Sequence, residues 1–189
     1  MDARCQIQKH EARLIKTAMR ITPIIPGTKP ELAAQEAQIM AERGRVSELY
    51  QVLLNSPPIA HGWEQMLSAV RNRSSIGADV RELCILRVAV LNKAPYEFDA
   101  HEPIALAAGV SQAFIGEVRW ADIPKNGTEI QRVALELTDA MTRDIVVSDS
   151  LWGEVKKHFD AQGQIDLVAT IAAYNMVSRF LTAFHIGHK

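Results

Sequence analysis

The chain has 189 residues, 48% of them hydrophobic and 23% charged, with a formal net charge of −1. That composition supports a buried core in one domain and excludes a disordered polyelectrolyte. Basic residues are scattered and balanced by acidic ones, so nothing marks a nucleic-acid or anionic-membrane surface, and the expected partner is a small molecule or another protein.

Apolar residues recur at helical spacing along nearly the whole chain, and strand-like alternation is limited to scraps such as IVV at 145–147, so the predicted fold class is all-α. Residues 1–29 read as an N-terminal arm, with a short helical stretch over about 8–19 and then ITPIIPGTKP, whose prolines and glycine forbid regular structure. Its first residues, MDARCQIQKHEARLIK, have no continuous apolar run and do not read as a signal peptide; no later segment is expected to reach the length of a membrane span. The arm is expected to pack on the body or on a neighbouring subunit, and residues 30–189 read as one helical domain.

In the body, helices are predicted near 31–43, ended by Gly44, near 46–54, ended by the NSPP turn, and near 58–73. After RSSIGAD, the segment 79–92 carries CILRVAVL, apolar nearly all round, the mark of a helix buried on most sides. A short NKAP turn leads to a helix over 95–108 that stops at Gly109, so these two form a central antiparallel hairpin. Ser111 caps a short helix to about 118, and WADIPKNGT precedes a helix over 128–142. Ser148 or Asp149 caps the next, to about 160; QGQ then reads as a break before a last long helix over 165–184.

The chemistry concentrates in APYEFDAH at 94–101. Glu97 and His101 are i and i+4 neighbours, on a stripe that continues through Ile104, Ala105 and Ala108. Two readings fit this spacing. One is a partly exposed Glu–His contact worth a few tenths of a kcal/mol; the other is a buried proton-handling pair, because a buried carboxylate must pair, hydrogen-bond or shift its pKa. Glu82 could reach His101 across the hairpin, or serve Asp79-x-x-Glu82 as a capping-box-like helix start. Arg87, inside the apolar run, needs a partner if buried, and Arg81 reads as a counter-ion or surface residue. Pro103 removes the bond that the carbonyl of Asp99 would accept and can kink the helix beside His101.

The two cysteines, Cys5 and Cys84, are too few and too far apart for a disulfide framework or a redox or zinc motif, which predicts a reducing, cytoplasmic setting with Cys84 as a small core residue. His185 and His188 have metal-ligand spacing, but two ligands without a third are no site, and no metal is expected. His10 and His61 read as surface or packing residues, and Trp63, Trp120 and Trp152 as core or interface anchors.

Glu82, the hairpin, PYEFDAH and the following IALAAG resemble the carboxymuconolactone decarboxylase and alkylhydroperoxidase D-like superfamily. RITPI at 20–24, LLNSPPIAHGWEQM at 53–66, RELCILRVAVL at 81–91 and YNMVSRFLTAF at 174–184 extend the resemblance over nearly everything after the first twenty residues. It implies an alkylhydroperoxidase D-like helical bundle. Peroxidases of the superfamily use Cys-x-x-Cys-x-x-x-His with an upstream glutamate as proton relay; aligning His101 puts Ala94 and Glu97 at the cysteine positions and Glu82 at the relay. Thiol peroxidase chemistry by that route is therefore expected to be absent.

The resemblance then implies a cofactor-free decarboxylase-like lyase acting on a small carboxylated lactone or related ring acid. His101 is the expected general acid/base, Glu97 its partner and Glu82 a relay or second base. Tyr96 is a candidate to orient substrate, or is tied to backbone through its hydroxyl; Asn175 and Arg179 are weaker candidates for a substrate carboxylate, or make structural hydrogen bonds. Another acid-base enzyme, an isomerase or hydrolase, and a non-catalytic binding or assembly protein remain the alternatives. A homo-oligomer is expected, a trimer or hexamer, with a dimer as the smaller option.

Overall fold

The computed structural model describes residues 18–120 and 122–187, and every regular element among them is helical. A 3-10 turn at Pro30–Leu32 leads into α1 (Ala33–Arg43), followed by α2 (Glu48–Leu53), α3 (Pro57–Asn72), α4 (Ala78–Leu91), α5 (Pro95–Ala107), α6 (Gln112–Val118), α7 (Glu129–Asp139), α8 (Asp149–His158) and α9 (Ala161–Phe184). The helices expected from residue 31 onward are present within a few residues at each end.

The all-round apolar pattern of CILRVAVL places α4 at the centre, packed against α5, α7 and α9. Every residue from Glu82 to Ala89 is buried. One side, with Leu83, Leu86 and Ala89, meets Phe98 and Ala105 of α5 and Phe114 and Val118 of α6. The other, with Val80, Cys84, Ile85 and Val88, joins the core of α3, α7 and α9. Deleting a buried leucine side chain here should cost about 2–5 kcal/mol.

The α4–α5 hairpin is set by a tight turn. Lys93 takes φ 55° and the Ala94 N–H donates to the Ala89 carbonyl at 2.8 Å. Pro95 starts α5 where a missing N–H costs nothing. Asn92 donates to Asn175 Oδ1 at 2.9 Å and to Ser178 Oγ at 2.7 Å, tying the turn to α9. The antiparallel hairpin expected from the sequence is thereby held from a third helix. α5 runs on through Pro103, which lies on its exposed side, to Ala107.

Two boundaries differ from expectation. QGQ is a helix start, not a break: the Asp160 carboxylate accepts from the Gly163 N–H at 2.8 Å, so α9 begins at Ala161. Gly163 is buried beside Phe159, where a Cβ would come within 3.3 Å of that ring. At the other, α7 ends at Asp139 and widens into a π turn, Ala140–Asp144, closed by Ile145 at φ 66°. Thr128 and Gln131 form the capping box that starts α7, and Gln131 also donates to Asp79 at 2.8 Å, pinning the start of α4.

α9, at 24 residues, is long and apolar enough to cross a membrane by length and composition, which corrects the expectation that no segment approaches a span. Its buried stripe, Leu167, Ile171, Tyr174, Val177 and Leu181, is part of the core. Before α1, Arg20 N donates to the Phe184 carbonyl at 3.1 Å, Ile24 N donates to Gln51 O at 2.9 Å, and Ile24 is buried. The helical stretch expected at 8–19 lies, up to residue 17, outside the described residues, as do Cys5, His10 and His188.

Candidate active site

The helical spacing in α5 turns Glu97, Ala100, His101 and Ile104 to one side, and that side faces a cavity of about 250 Å³. α3 presents Trp63, Leu67 and Arg71 to the same cavity, again at i, i+4 and i+8. Tyr174 and Val177 enter from α9, and the segment from Arg43 through Tyr50 closes the remaining wall. Glu97 and His101 are 6% and 5% exposed, which decides between the two readings of their spacing in favour of a buried pair.

His101 is held from both nitrogens. Its Nδ1 lies 2.6 Å from Glu82 Oε2, the length of a strong charge-assisted hydrogen bond. Its Nε2 lies 3.3 Å from Glu97 Oε1 and 3.3 Å from the Tyr174 hydroxyl, whose ring meets the imidazole edge-on at 5.1 Å. Glu82 does not line the cavity, whereas Glu97 and Tyr174 do. The carboxylate of Glu82 therefore anchors the back of the ring and leaves Nε2 as the nitrogen on the cavity side. Gly77, not a side chain, stands at the N-cap of α4, so Glu82 is free of the capping role and reaches across the hairpin. Arg81 supports it from outside, with Nε 3.3 Å from Glu82 Oε1.

Burial alone would drive the imidazole toward its neutral form, but the hydrogen bonds and negative charges of Glu82 and Glu97 outweigh it and raise the His101 pKa above the ordinary histidine value. Burial likewise opposes ionisation of Glu82, yet the His101 hydrogen bond and charge, with Arg81 and Arg71 beyond, hold its carboxyl below the usual range. Both shifts favour the imidazolium and carboxylate forms of the pair. Burial keeps the Tyr174 phenol protonated far above its usual range. Its oxygen can accept from Nε2–H, and its O–H can donate to Nε2 once that proton has left, so both protonation states of His101 find a partner.

A second buried network braces the cavity wall. Arg43 donates to both oxygens of Glu64 at 3.2 Å and to Ser68 Oγ at 3.2 Å, while Ser68 Oγ donates to Glu64 at 2.5 Å. The guanidinium also lies 5.9 Å from the Tyr50 ring centre. Trp63, tilted 57° against Phe180 with centroids 5.0 Å apart, has a buried indole nitrogen with no hydrogen-bond partner among the described residues.

Of the residues expected from sequence, His101, Glu97 and Tyr96 line the cavity and Glu82 touches His101 from behind. Tyr96 is half-buried, and burial raises its phenol pKa. Asn175 and Arg179 do not line the cavity. Asn175 receives from Asn92 and Arg179 and donates to Thr142 at 2.9 Å, a structural network at the base of the hairpin. Tyr174, Trp63, Arg43, Arg45 and Arg71 were not foreseen as site residues. Tyr174 comes from a position 73 residues from His101, where no local spacing could announce it; the arginines share helix faces or loops with apolar neighbours and read as ordinary surface charge.

The other polar residues of α4 stand apart. Arg87, fully buried, forms a two-pronged pair with Asp139 at 2.6 and 2.7 Å and donates to the carbonyls of Val118 and Trp120. Cys84 is fully buried, and burial pushes its thiol up to about 12. Among the described residues no cluster of three or more His, Cys, Asp or Glu could hold a metal ion. Trp63 is a core residue, Trp152 packs partly against the core, and Trp120 is exposed.

Residues 57–140, from the start of α3 to the end of α7, match the carboxymuconolactone decarboxylase family. An uncharacterised Escherichia coli (strain K12) protein, YnjA, is 30% identical over 118 residues, 61% of this chain, and the chain spans 64% of that relative's length, less than two thirds. The debrominase Bmp8 in complex with 2,3,4-tribromopyrrole superposes with a TM-score of 0.76 over 92% of this chain and 93% of its own, at 14% identity. A peroxidase-related protein with an alkylhydroperoxidase AhpD core, from Ralstonia eutropha JMP134, superposes with a TM-score of 0.68 over 84% and 85%, at 16% identity. At these identities the two structures establish the fold alone.

Proposed function

From the match of residues 57–140 to the carboxymuconolactone decarboxylase family, we propose that this chain is a cofactor-free acid-base enzyme of the carboxymuconolactone decarboxylase and alkylhydroperoxidase D-like superfamily that decarboxylates a small carboxylated lactone or related ring acid. The observation that carries this reading is the buried His101, fixed by Glu82 at 2.6 Å and opening through Nε2 onto a cavity of about 250 Å³. That volume lies below the ~300–1,000 Å³ of pockets for drug-sized ligands and suits one small ring.

In the proposed reaction the bond between the ring carbon and its carboxylate breaks and carbon dioxide leaves. The electron pair passes into the conjugated lactone, and the His101 imidazolium delivers one proton from Nε2 to carbon. Water then restores the proton, so one proton is consumed per carbon dioxide released. Glu82 keeps the ring oriented and its charge balanced throughout, and Tyr174 takes up the hydrogen bond that Nε2 gives away. A thiol route has no support: Ala94 and Glu97 occupy the positions where the superfamily's peroxidases carry cysteines, and Cys84 is enclosed in the core.

Carbon dioxide release from 4-carboxymuconolactone by the purified protein, lost in His101→Gln with the fold retained, is the expected result; absence of release from a panel of lactone acids removes the decarboxylase assignment. An isomerase is the second reading, favoured by Glu97. Its carboxylate faces the cavity beside Nε2, and a carboxylate next to an imidazolium can move a proton between two carbons of one substrate. Solvent deuterium appearing in product without loss of carbon dioxide would select it. We propose further that the protein is a cytoplasmic homo-oligomer; exposed Trp120, Ile145, Val146 and Ile165 supply apolar surface that subunit contacts would cover.

A further inference from the structure

The cavity that receives His101 is electropositive beyond what the acid-base chemistry uses. Three arginines line it: Arg43, Arg45 and Arg71. Arg43 is committed to Glu64 and Ser68. Among the described residues, Arg71 makes no ion pair and its guanidinium makes no hydrogen bond, although it is only half-exposed and stands on the same face of α3 as Trp63 and Leu67. Its charge nonetheless acts on Glu82 and on Tyr174, two of the three groups that touch the His101 nitrogens. Arg45, exposed at the edge of the same cavity, is likewise without an ion pair among the described residues. A partly desolvated guanidinium turned to a cavity with its five donors unspent is matched by a planar, two-oxygen anion.

We propose that Arg71 is the carboxylate-binding residue of this site, with Arg45 strengthening the field at the edge, and that the substrate is accordingly a small anion whose carboxylate rests on Arg71 while its ring lies along Leu67, Ile104 and Val177 toward His101. The proposal deepens the acid-base assignment and rests on it for the reaction, though not for binding. It also constrains the chemistry. A guanidinium clamped on a departing carboxylate would stabilise the ground state more than the transition state. The carboxylate on Arg71 is therefore one that stays, and a decarboxylated substrate must carry a second acid group. Arg71 also lies in the last turn of α3, where a positive charge favours the helix dipole; that structural role predicts a small stability change and no ligand selectivity.

The test uses two unreactive probes of the same shape, furan-2-carboxylate and furan-2-carboxamide, titrated by calorimetry and ligand-observed NMR into wild type, Arg71→Ala, Arg71→Gln and His101→Gln. Wild type should prefer the acid by tenfold or more; both Arg71 variants should lose that preference, and His101→Gln should keep at least half of it on a logarithmic scale. Equal binding of acid and amide by wild type, no binding of the acid at millimolar concentration, or an unchanged preference in both folded Arg71 variants overturns the proposal. Acid-selective binding that depends on Arg71, in a protein that turns over no lactone acid, would sink the acid-base assignment and leave the carboxylate seat standing.

Discussion

Glu82 and Arg87 stand five residues apart on the same central helix, each buried, each paired with an opposite charge from another helix, and each a charge inside an apolar run. Their surroundings differ. Arg87 spends its donors on Asp139 and two carbonyls, in a corner of the core away from the cavity. Glu82 holds a residue whose pKa it helps to raise above the ordinary histidine value and whose other nitrogen is on the cavity side. One pair locks α4 to α7 and the loop after α6 through a two-pronged guanidinium contact; the other keeps a proton ready. Burial and pairing therefore do not distinguish structural from chemical charge, while a titratable partner beside a cavity does.

The comparison breaks if the two pairs respond alike to mutation. Arg87→Ala leaves Asp139 without its main partner and takes a donor from the carbonyls of Val118 and Trp120, and should cost about 3–5 kcal/mol by urea denaturation. Replacing both members, Arg87→Met with Asp139→Leu, should recover most of that loss and leave turnover within a few-fold of wild type, because a buried pair can give way to apolar packing. His101→Gln should show the reverse proportion: turnover down about 10²–10⁴-fold, with a stability loss of only about 1–3 kcal/mol for the partner left unsatisfied. Equal stability losses, with activity lost in both, would mean that His101 is as structural as Arg87.

Much of this division is legible from residue spacing, and the rest is not, for physical reasons. Glu97 and His101 share a face because four residues are little more than one helical turn, and the apolar CILRVAVL run requires a helix enclosed on all sides. From these two facts the hairpin and half of the site follow. The ranking of the two glutamates does not. The i+4 partner lies at 3.3 Å and the one across the hairpin at 2.6 Å, because the tight Asn92–Ala94 turn sets the register between helices. The Asp79-x-x-Glu82 spacing mimics a cap, yet Gly77 takes the cap position and Asp79 is held by Gln131. Asn175 fits either a ligand or a structural hydrogen bond by sequence and takes the second, tying the turn to α9, whereas Tyr174, one residue and about 100° earlier around that helix, reaches His101.

A pH series sharpens the contrast further. His101 has its pKa raised by folding, so the stability it contributes is fully present below its unfolded value near 6.5 and is lost as pH climbs through the raised folded value. Glu82 has its pKa lowered, so its contribution is present above the unfolded carboxylate value and is lost as pH falls through the lowered one. The wild-type advantage over His101→Gln should thus be greatest between about pH 4.5 and 6.5 and shrink on either side. The advantage of wild type over the Arg87→Met, Asp139→Leu variant should lack the decline above pH 6.5. Denaturant midpoints at five or six pH values would resolve the two shapes, and a flat His101→Gln difference from pH 5 to 9 would contradict the imidazolium–carboxylate assignment.

The smallest expected effect belongs to Cys84, buried on α4 between Glu82 and Arg87. It is fully buried, burial pushes its thiol up to about 12, and its sulfur makes a long contact, 3.9 Å, to the Ala134 carbonyl. A nucleophilic or redox cysteine needs a thiolate and access, and this one has neither. Cys84→Ala should therefore cost about 1 kcal/mol of packing, leave turnover unchanged, and leave the response to millimolar peroxide identical to wild type. Rapid loss of activity on peroxide treatment that Cys84→Ala prevents would show that α4 opens enough to expose its core, and the enclosure that keeps the Glu82–His101 proton in place would have to be argued again.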